Sequence, residues 1–158
     1  MKNSKPFFGL AVILIASLAA LTHSLTKGAT PVLASSARNG QIHITKLCSD
    51  YHGAAGDHCT IATSNLAELP PGTTVYYDQA FGIPAGNLDS NVMLFVSSSD
   101  WAVGRCSVEG ATGKGLCTVT DGVGPLAGLT ARVDVVIDFA TGITYWDGTY
   151  SFEALPKR

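Results

Sequence analysis

The sequence predicts an all-β domain, a sandwich or barrel of about eight strands, behind an N-terminal export signal. Three observations carry this reading. After residue 34 no apolar repeat of 3.6 residues persists over any useful length. Short runs rich in β-branched and aromatic residues follow one another instead, separated by Gly, Pro, Asn and Asp. Closely spaced strands with turn signals between them read as a sandwich or barrel. The third observation is an even set of four cysteines, all after residue 34, which reads as a disulfide framework in an exported chain.

The chain begins with a positive segment, Lys2 and Lys5, and then runs from Phe7 to Leu21 without a charge. Those fifteen residues are short for a helix that spans a bilayer, which needs about 20. They suit the apolar core of a signal helix. Val32-Leu33-Ala34 places small residues at the −3 and −1 positions, so cleavage is expected after Ala34. An earlier cut near Ala19 or Ala20 and an uncleaved anchor are the alternatives. The organisation expected is a signal over 1–34 and a single β domain over 35–158, secreted or periplasmic, with the membrane met only through the signal segment. Removing Lys2, Lys5 and Lys27 leaves seven of the ten Lys/Arg against twelve Asp/Glu, a net charge of −5. Nucleic acid and anionic membrane surfaces both require a cationic face, so neither is an expected partner.

The strands are expected in this order. Residues 41–47 (QIHITKL) alternate at first, and 60–64 (TIATS) are β-branched. The turn Pro70-Pro71-Gly72 precedes 73–80 (TTVYYDQA). An apolar run follows at 91–97 (NVMLFVS). Residues 102–108 and 116–120 flank a glycine-rich turn as the arms of a hairpin. The last pair, 129–139 and 143–152, is joined by Ala140-Thr141-Gly142. In the first of these two, Ala131, Val133, Val135, Ile137 and Phe139 share one face, and Arg132, Asp134 and Asp138 share the other.

Four cysteines allow three pairings. Spacing favours the local one, Cys48–Cys59 and Cys106–Cys117, with ten residues inside each loop. A turn at Ala111-Thr112 sets Glu109 opposite Lys114 and Cys106 opposite Cys117. Directly opposed residues on antiparallel strands approach closely enough for a disulfide.

The segment from Gly122 to Val133 (GVGPLAGLTARV) resembles the G-x-G-x-[FL]-x-G-x-x-[AG]-x-V stretch of the allene oxide cyclase and dirigent barrels. The closing run Tyr145-Trp146-Asp147-Gly148-Thr149-Tyr150-Ser151-Phe152 resembles the last strand of the bacterial allene-oxide-cyclase-like barrel proteins. Val103-Gly104-Arg105-Cys106, Gly115-Leu116-Cys117-Thr118-Val119 and Gly86-Asn87-Leu88-Asp89-Ser90-Asn91-Val92 are also similar to theirs. The resemblance covers about residues 60–152. It implies an eight-stranded antiparallel barrel with a central, mostly apolar cavity. Proteins of this kind hold one conformer of a reactive lipid, polyketide or quinone methide, an effect of orientation and entropy. The motifs are glycines and a strand, so they speak for fold, and no functional residue of the family is carried over onto this chain.

Several groups of residues bear on chemistry. The run from Cys48 to Cys59 holds His52, Asp57 and His58, but its spacing matches no zinc pattern and a disulfide would consume both thiols. No metal and no cofactor are expected. Gly122-x-Gly124-x-x-x-Gly128 is interrupted by Pro125 and leads into a strand, so it reads as a turn and bulge, not a dinucleotide loop. No G-x-S-x-G occurs. Strand-borne polar and aromatic residues remain: Tyr76 with Asp78, Arg105, Arg132 with Asp134, and Tyr145 with Trp146. If these face inward, they would orient a ligand among aromatics. The competing reading sets Arg132, Asp134 and Asp138 on the solvated outside, because alternation turns the aliphatic residues in.

The function expected is binding or orienting a small hydrophobic molecule in the barrel's cavity. One alternative is a cyclase or isomerase using a pair such as Asp78 with Arg105 or Arg132. Another is a structural or interaction protein of the cell exterior with a filled core. A cavity of about 300 Å³ or more separates the first two from the third.

Overall fold

The computed structural model describes residues 38–154; the expected signal helix lies outside them. Eight antiparallel strands close into a barrel in sequence order, each paired with its neighbours and the first with the last. They are β1 (Arg38–Leu47), β2 (His58–Ser64), β3 (Thr74–Tyr77), β4 (Asn87–Ser97), β5 (Asp100–Glu109), β6 (Lys114–Val123), β7 (Leu129–Asp138) and β8 (Ile143–Phe152). A 3₁₀ turn, Gly124–Leu126, links β6 to β7. Closure leaves no unpaired sheet edge, so a short acidic chain can hold its backbone polar groups without a second layer.

Alternation decides what enters the barrel. On β7 Leu129, Ala131, Val133 and Val135 are buried, while Arg132, Asp134 and Val136 are exposed. On β1 Ile42, Ile44 and Lys46 are buried, while His43 and Leu47 are exposed. The register steps by one residue between Thr45 and Lys46 against β2, where Thr45 faces Thr63 and Lys46 faces Ile61. Most strands extend beyond the ends read from the sequence, β1 from 38 and β6 over 114–123, and two of the differences have a visible cause. β3 stops at Tyr77, because the Asp78 carboxylate turns to accept from the Asn91 backbone N–H (3.0 Å) and side-chain amide (2.8 Å). β4 begins four residues early, at Asn87, because Asn87–Asn91 pair with Arg105–Glu109.

Both disulfides join the expected partners. Cys106 and Cys117 are directly opposed on β5 and β6, with Glu109 opposite Lys114 at the turn. Cys48 and Cys59 bridge the ends of β1 and β2 across the loop between them. The Cα atoms are 4.2 Å apart across the β1–β2 loop and 4.1 Å apart in the hairpin.

The two ends of the barrel are filled differently. At the end carrying the β2–β3, β4–β5 and β6–β7 connections, Leu66, Leu69, Leu94, Ala102, Leu126, Leu129 and Phe152 pack into a dense apolar plug. The other end carries the β1–β2, β3–β4, β5–β6 and β7–β8 loops, and there the interior is open.

Candidate functional site

The open end is a cavity of about 430 Å³. Its walls are almost wholly apolar: Leu88, Val108, Val135, Ile137 and both disulfides line it. Phe81 and Phe139 stand at its rim and remain 41% and 66% exposed. The hairpin turn between β5 and β6 is shaped to admit the Phe139 ring. Gly113 there has φ of 67°, and a Cβ on it would lie 2.9 Å from Phe139 Cε2.

A small polar cluster sits in the buried part. Lys46 from β1, Tyr77 from β3 and Trp146 from β8 all point inward by alternation, and each is at most 5% exposed. Lys46 Nζ donates to Tyr77 Oη at 2.6 Å and lies 3.8 Å above the Trp146 ring. Tyr51, from the β1–β2 loop, packs edge-on against Tyr77 with ring centroids 5.2 Å apart. The Lys46 side chain makes no ion pair among the described residues, whose four salt bridges all lie elsewhere. Among the described residues the cavity wall contains no Asp, Glu, Asn or Gln.

Burial without a counter-charge disfavours the ammonium, and it holds the Lys46 amine well below its ordinary value. The indole face works in the opposite direction, since it attracts a cation. Desolvation of a fully buried amine is the larger effect. The Tyr77 phenol is pushed upward, first by burial and then by the Tyr51 hydroxyl beside it. Tyr51 is raised as well, by burial and then by the Asp57 carboxylate. Burial thus draws the Lys46 amine and both phenols alike toward their uncharged forms.

Its hydrogen-bonding capacity is unspent. Trp146 Nε1 and Tyr51 Oη are buried with no partner among the described residues. Among the described residues the Tyr77 hydroxyl accepts from Lys46 and donates to nothing. Buried donors without acceptors are costly, by about 1–3 kcal/mol each. Their common lack is an acceptor atom, and the cavity they line has room for one.

Six of the seven residues singled out from sequence lie elsewhere. Tyr76 faces outward and stacks on His58 at 5.2 Å. Asp78 and Arg105 are brought together, but on the outer surface and through Asn91. Arg105 donates to Asn91 Oδ1 (3.2 Å) and Asp89 (2.8 Å), and the Asn91 amide donates to Asp78. That shell of donors, the Asn91 side chain first, holds the Asp78 carboxyl below the usual carboxylate range. Arg132 and Asp134 project from the outer face of β7, and Tyr145 from that of β8. Only Trp146 lines the cavity. The loop 48–57 is held by Asp57, whose carboxylate accepts from the backbone N–H groups of His52 (2.7 Å) and Ala54 (2.8 Å). These bonds, with Ala54 first, hold the Asp57 carboxyl low. The loop contributes Tyr51, His52 and Gly53 to the cavity wall, and its Cys48 is oxidised in a disulfide with Cys59 of β2.

Lys46, Tyr77 and Tyr51 were missed, although two of them carried a signal. Ile42 and Ile44 set the phase of β1, and the same phase turns Lys46 in and Leu47 out. Val75 sets the phase of β3 and turns Tyr77 in, not Tyr76. No protein-family model, curated protein or solved structure matches the chain.

Proposed function

We propose that the barrel binds a small hydrophobic molecule that carries an oxygen acceptor. The observation that carries this reading is the cavity of about 430 Å³ with unsatisfied donors in its buried part and apolar walls above them. A volume in this range suits a small ligand, and apolar walls with a few converging polar groups are the usual form of such sites. The apolar body of the ligand lies along Leu88, Val108, Val135 and Ile137, and its oxygen meets Lys46, Tyr77 or Trp146. Phe81 and Phe139 form an apolar entrance. Two disulfides fit an extracellular or periplasmic location. We read the chain as an exported protein, of the allene-oxide-cyclase-like kind, that takes up its ligand there.

Native mass spectrometry of the protein isolated from its exported form tests this. An apolar, oxygen-bearing molecule should co-purify, or be taken up from a panel of fatty acids, aldehydes and ketones. Val108→Phe puts a ring into the cavity and should abolish uptake with the fold retained. Uptake that is equal in Val108→Phe and wild type would place the ligand outside the barrel and refute the proposal.

A further inference from the structure

We propose that Lys46 is a carbonyl-capturing lysine: it forms a reversible imine with an apolar aldehyde or ketone held in the cavity, with Tyr77 handling the proton. This rests on the binding function proposed above and names its ligand class.

The geometry supplies each part of that chemistry. Lys46 is 1% exposed, and its amine belongs to the cavity wall. Lys114, the other lysine among the described residues, lies on the outer surface. An amine is a nucleophile only through its free lone pair. In water an ordinary lysine carries a proton on that pair, but this site offers no carboxylate to keep the proton there. The Tyr77 hydroxyl, 2.6 Å from Nζ, can move a proton between nitrogen and oxygen. The unpartnered Trp146 Nε1 and Tyr51 Oη are donors available to a carbonyl oxygen.

The steps balance without a further reagent. The Nζ lone pair attacks the carbonyl carbon, and the C=O π pair moves to oxygen. One N–H proton passes to that oxygen by way of the Tyr77 hydroxyl, giving a neutral carbinolamine. The nitrogen lone pair then forms the second C–N bond as the C–O bond breaks, and the remaining N–H proton passes through the Tyr77 hydroxyl to the leaving oxygen. One water leaves and a C=N bond remains. The apolar wall slows the reverse reaction by keeping water from the imine. Protonation of the imine nitrogen is supported by the Trp146 face, 3.8 Å from the present Nζ position.

A carboxylate is the competing ligand, since it would also satisfy the donors. It would have to leave water as an anion and be held beside a protonated amine, so two charges would stand in an apolar cavity. Carbonyl capture brings in a neutral ligand and places no anion in the apolar cavity, and the cavity as built favours it.

Octanal, with 1-octanol and octanoate as comparators, is the probe. Binding is read from Trp146 fluorescence in a Trp101→Phe background. Capture is read by adding borohydride, which reduces an imine to a stable secondary amine, followed by peptide mass mapping. The expected result at neutral pH is one octyl group per chain, on the peptide containing Lys46. Lys46→Met should lose that adduct. Tyr77→Phe should retain it but form it more slowly, by roughly tenfold or more. Octanal binding without a reducible adduct overturns the inference and leaves the binding function standing. So does an adduct that persists in Lys46→Met, or octanoate binding in preference to octanal. If none of the three probes binds, the inference falls, and uptake of any other compound in the native mass spectrometry panel shows whether the binding function survives.

Discussion

Replacing Lys46 by Met should flatten the alkaline pH dependence of stability. The amine is fully buried, and desolvation lowers its proton affinity well below the 10.5 of a solvated lysine. In the unfolded chain it titrates near that ordinary value. Between the folded-state value and pH 10.5, the unfolded chain therefore binds a proton that the folded protein does not. Stability then rises with pH across that window, with a limiting slope of about 1.4 kcal/mol per pH unit. Below the window the cost of burying the charged ammonium is present in full. Tyr77 contributes with the opposite sign, but only higher. Its folded value lies above its ordinary 10.0, so it lowers stability as pH rises past 10. Tyr51 behaves likewise. Measurements on the alkaline side but below pH 10, where both phenols keep their protons folded or unfolded, therefore isolate the lysine.

Methionine has a similar shape and fills irregular apolar space well. Its cost is the Tyr77 hydroxyl left without its donor, about 1 kcal/mol. Urea unfolding at a series of pH values gives the stability of both proteins by linear extrapolation. The wild-type curve should climb through this range while that of Lys46→Met stays nearly level, so that any advantage of the variant shrinks as pH rises. Two parallel curves would mean that Lys46 titrates in the folded protein as it does in water. The uncharged amine, and the chemistry argued from it, would then be wrong.

Other outcomes follow from single contacts. Replacing both Cys106 and Cys117 by Ala should cost about 3 kcal/mol, from the closed loop they define, and urea unfolding without reductant reads it directly. Gly113→Ala forces a Cβ into a left-handed turn and against the Phe139 ring, so it should cost about 1–2 kcal/mol and lower the melting temperature. Asp78 and Asp138 are held low by hydrogen bonds, from the Asn91 and Thr141 side chains first. Their contribution is present above the ordinary value of 3.8 and is lost as pH falls through the lower folded values. Asp78→Asn should therefore weaken the acid limb of the stability curve and leave the alkaline limb unchanged.

The strand pattern was legible because the barrel obeys a period of two almost everywhere. Where Ala131, Val133 and Val135 alternate with Arg132 and Asp134, residue type and direction agree, and the outside reading of the charged face follows. The Cys106–Cys117 hairpin was legible because a short glycine-rich turn fixes its register. The site was not, and the reason is the same rule. A residue was assigned its direction by its polarity, and in the cavity polarity is inverted. Lys46 points in and Leu47 points out, at 50% exposed, so the pair looks like the end of the alternation when it is its continuation. Tyr76 and Tyr77 are alike in composition, and only the phase set by Val75 separates them. Tyr51 enters from a loop, where no period applies. The external network of Asp78, Asn91, Arg105 and Asp89 had the opposite fault: its residue types suit a ligand site, and its phase places it in solvent.

The placement of the disulfides bears on why such an inversion is tolerated. An open cavity forfeits the contacts that a filled core would make, and a buried unpaired amine adds a further cost. At the plugged end, leucines and Phe152 supply that packing. At the open end both cross-links lie in the cavity wall itself, and three of the four cysteines are buried there. A disulfide stabilises mainly by restricting the unfolded chain, so it needs no partner atoms in the space it borders. The cross-links thus sit where side-chain packing is absent, and they leave the volume around Lys46 free. Reduction should consequently loosen the open end before the plug. Hydrogen exchange after mild reductant should show Lys46, Tyr77 and Val108 losing protection while Leu94 and Leu129 keep theirs. Uniform loss across all eight strands would mean that the barrel opens as one unit, and that the disulfides do not compensate for the cavity.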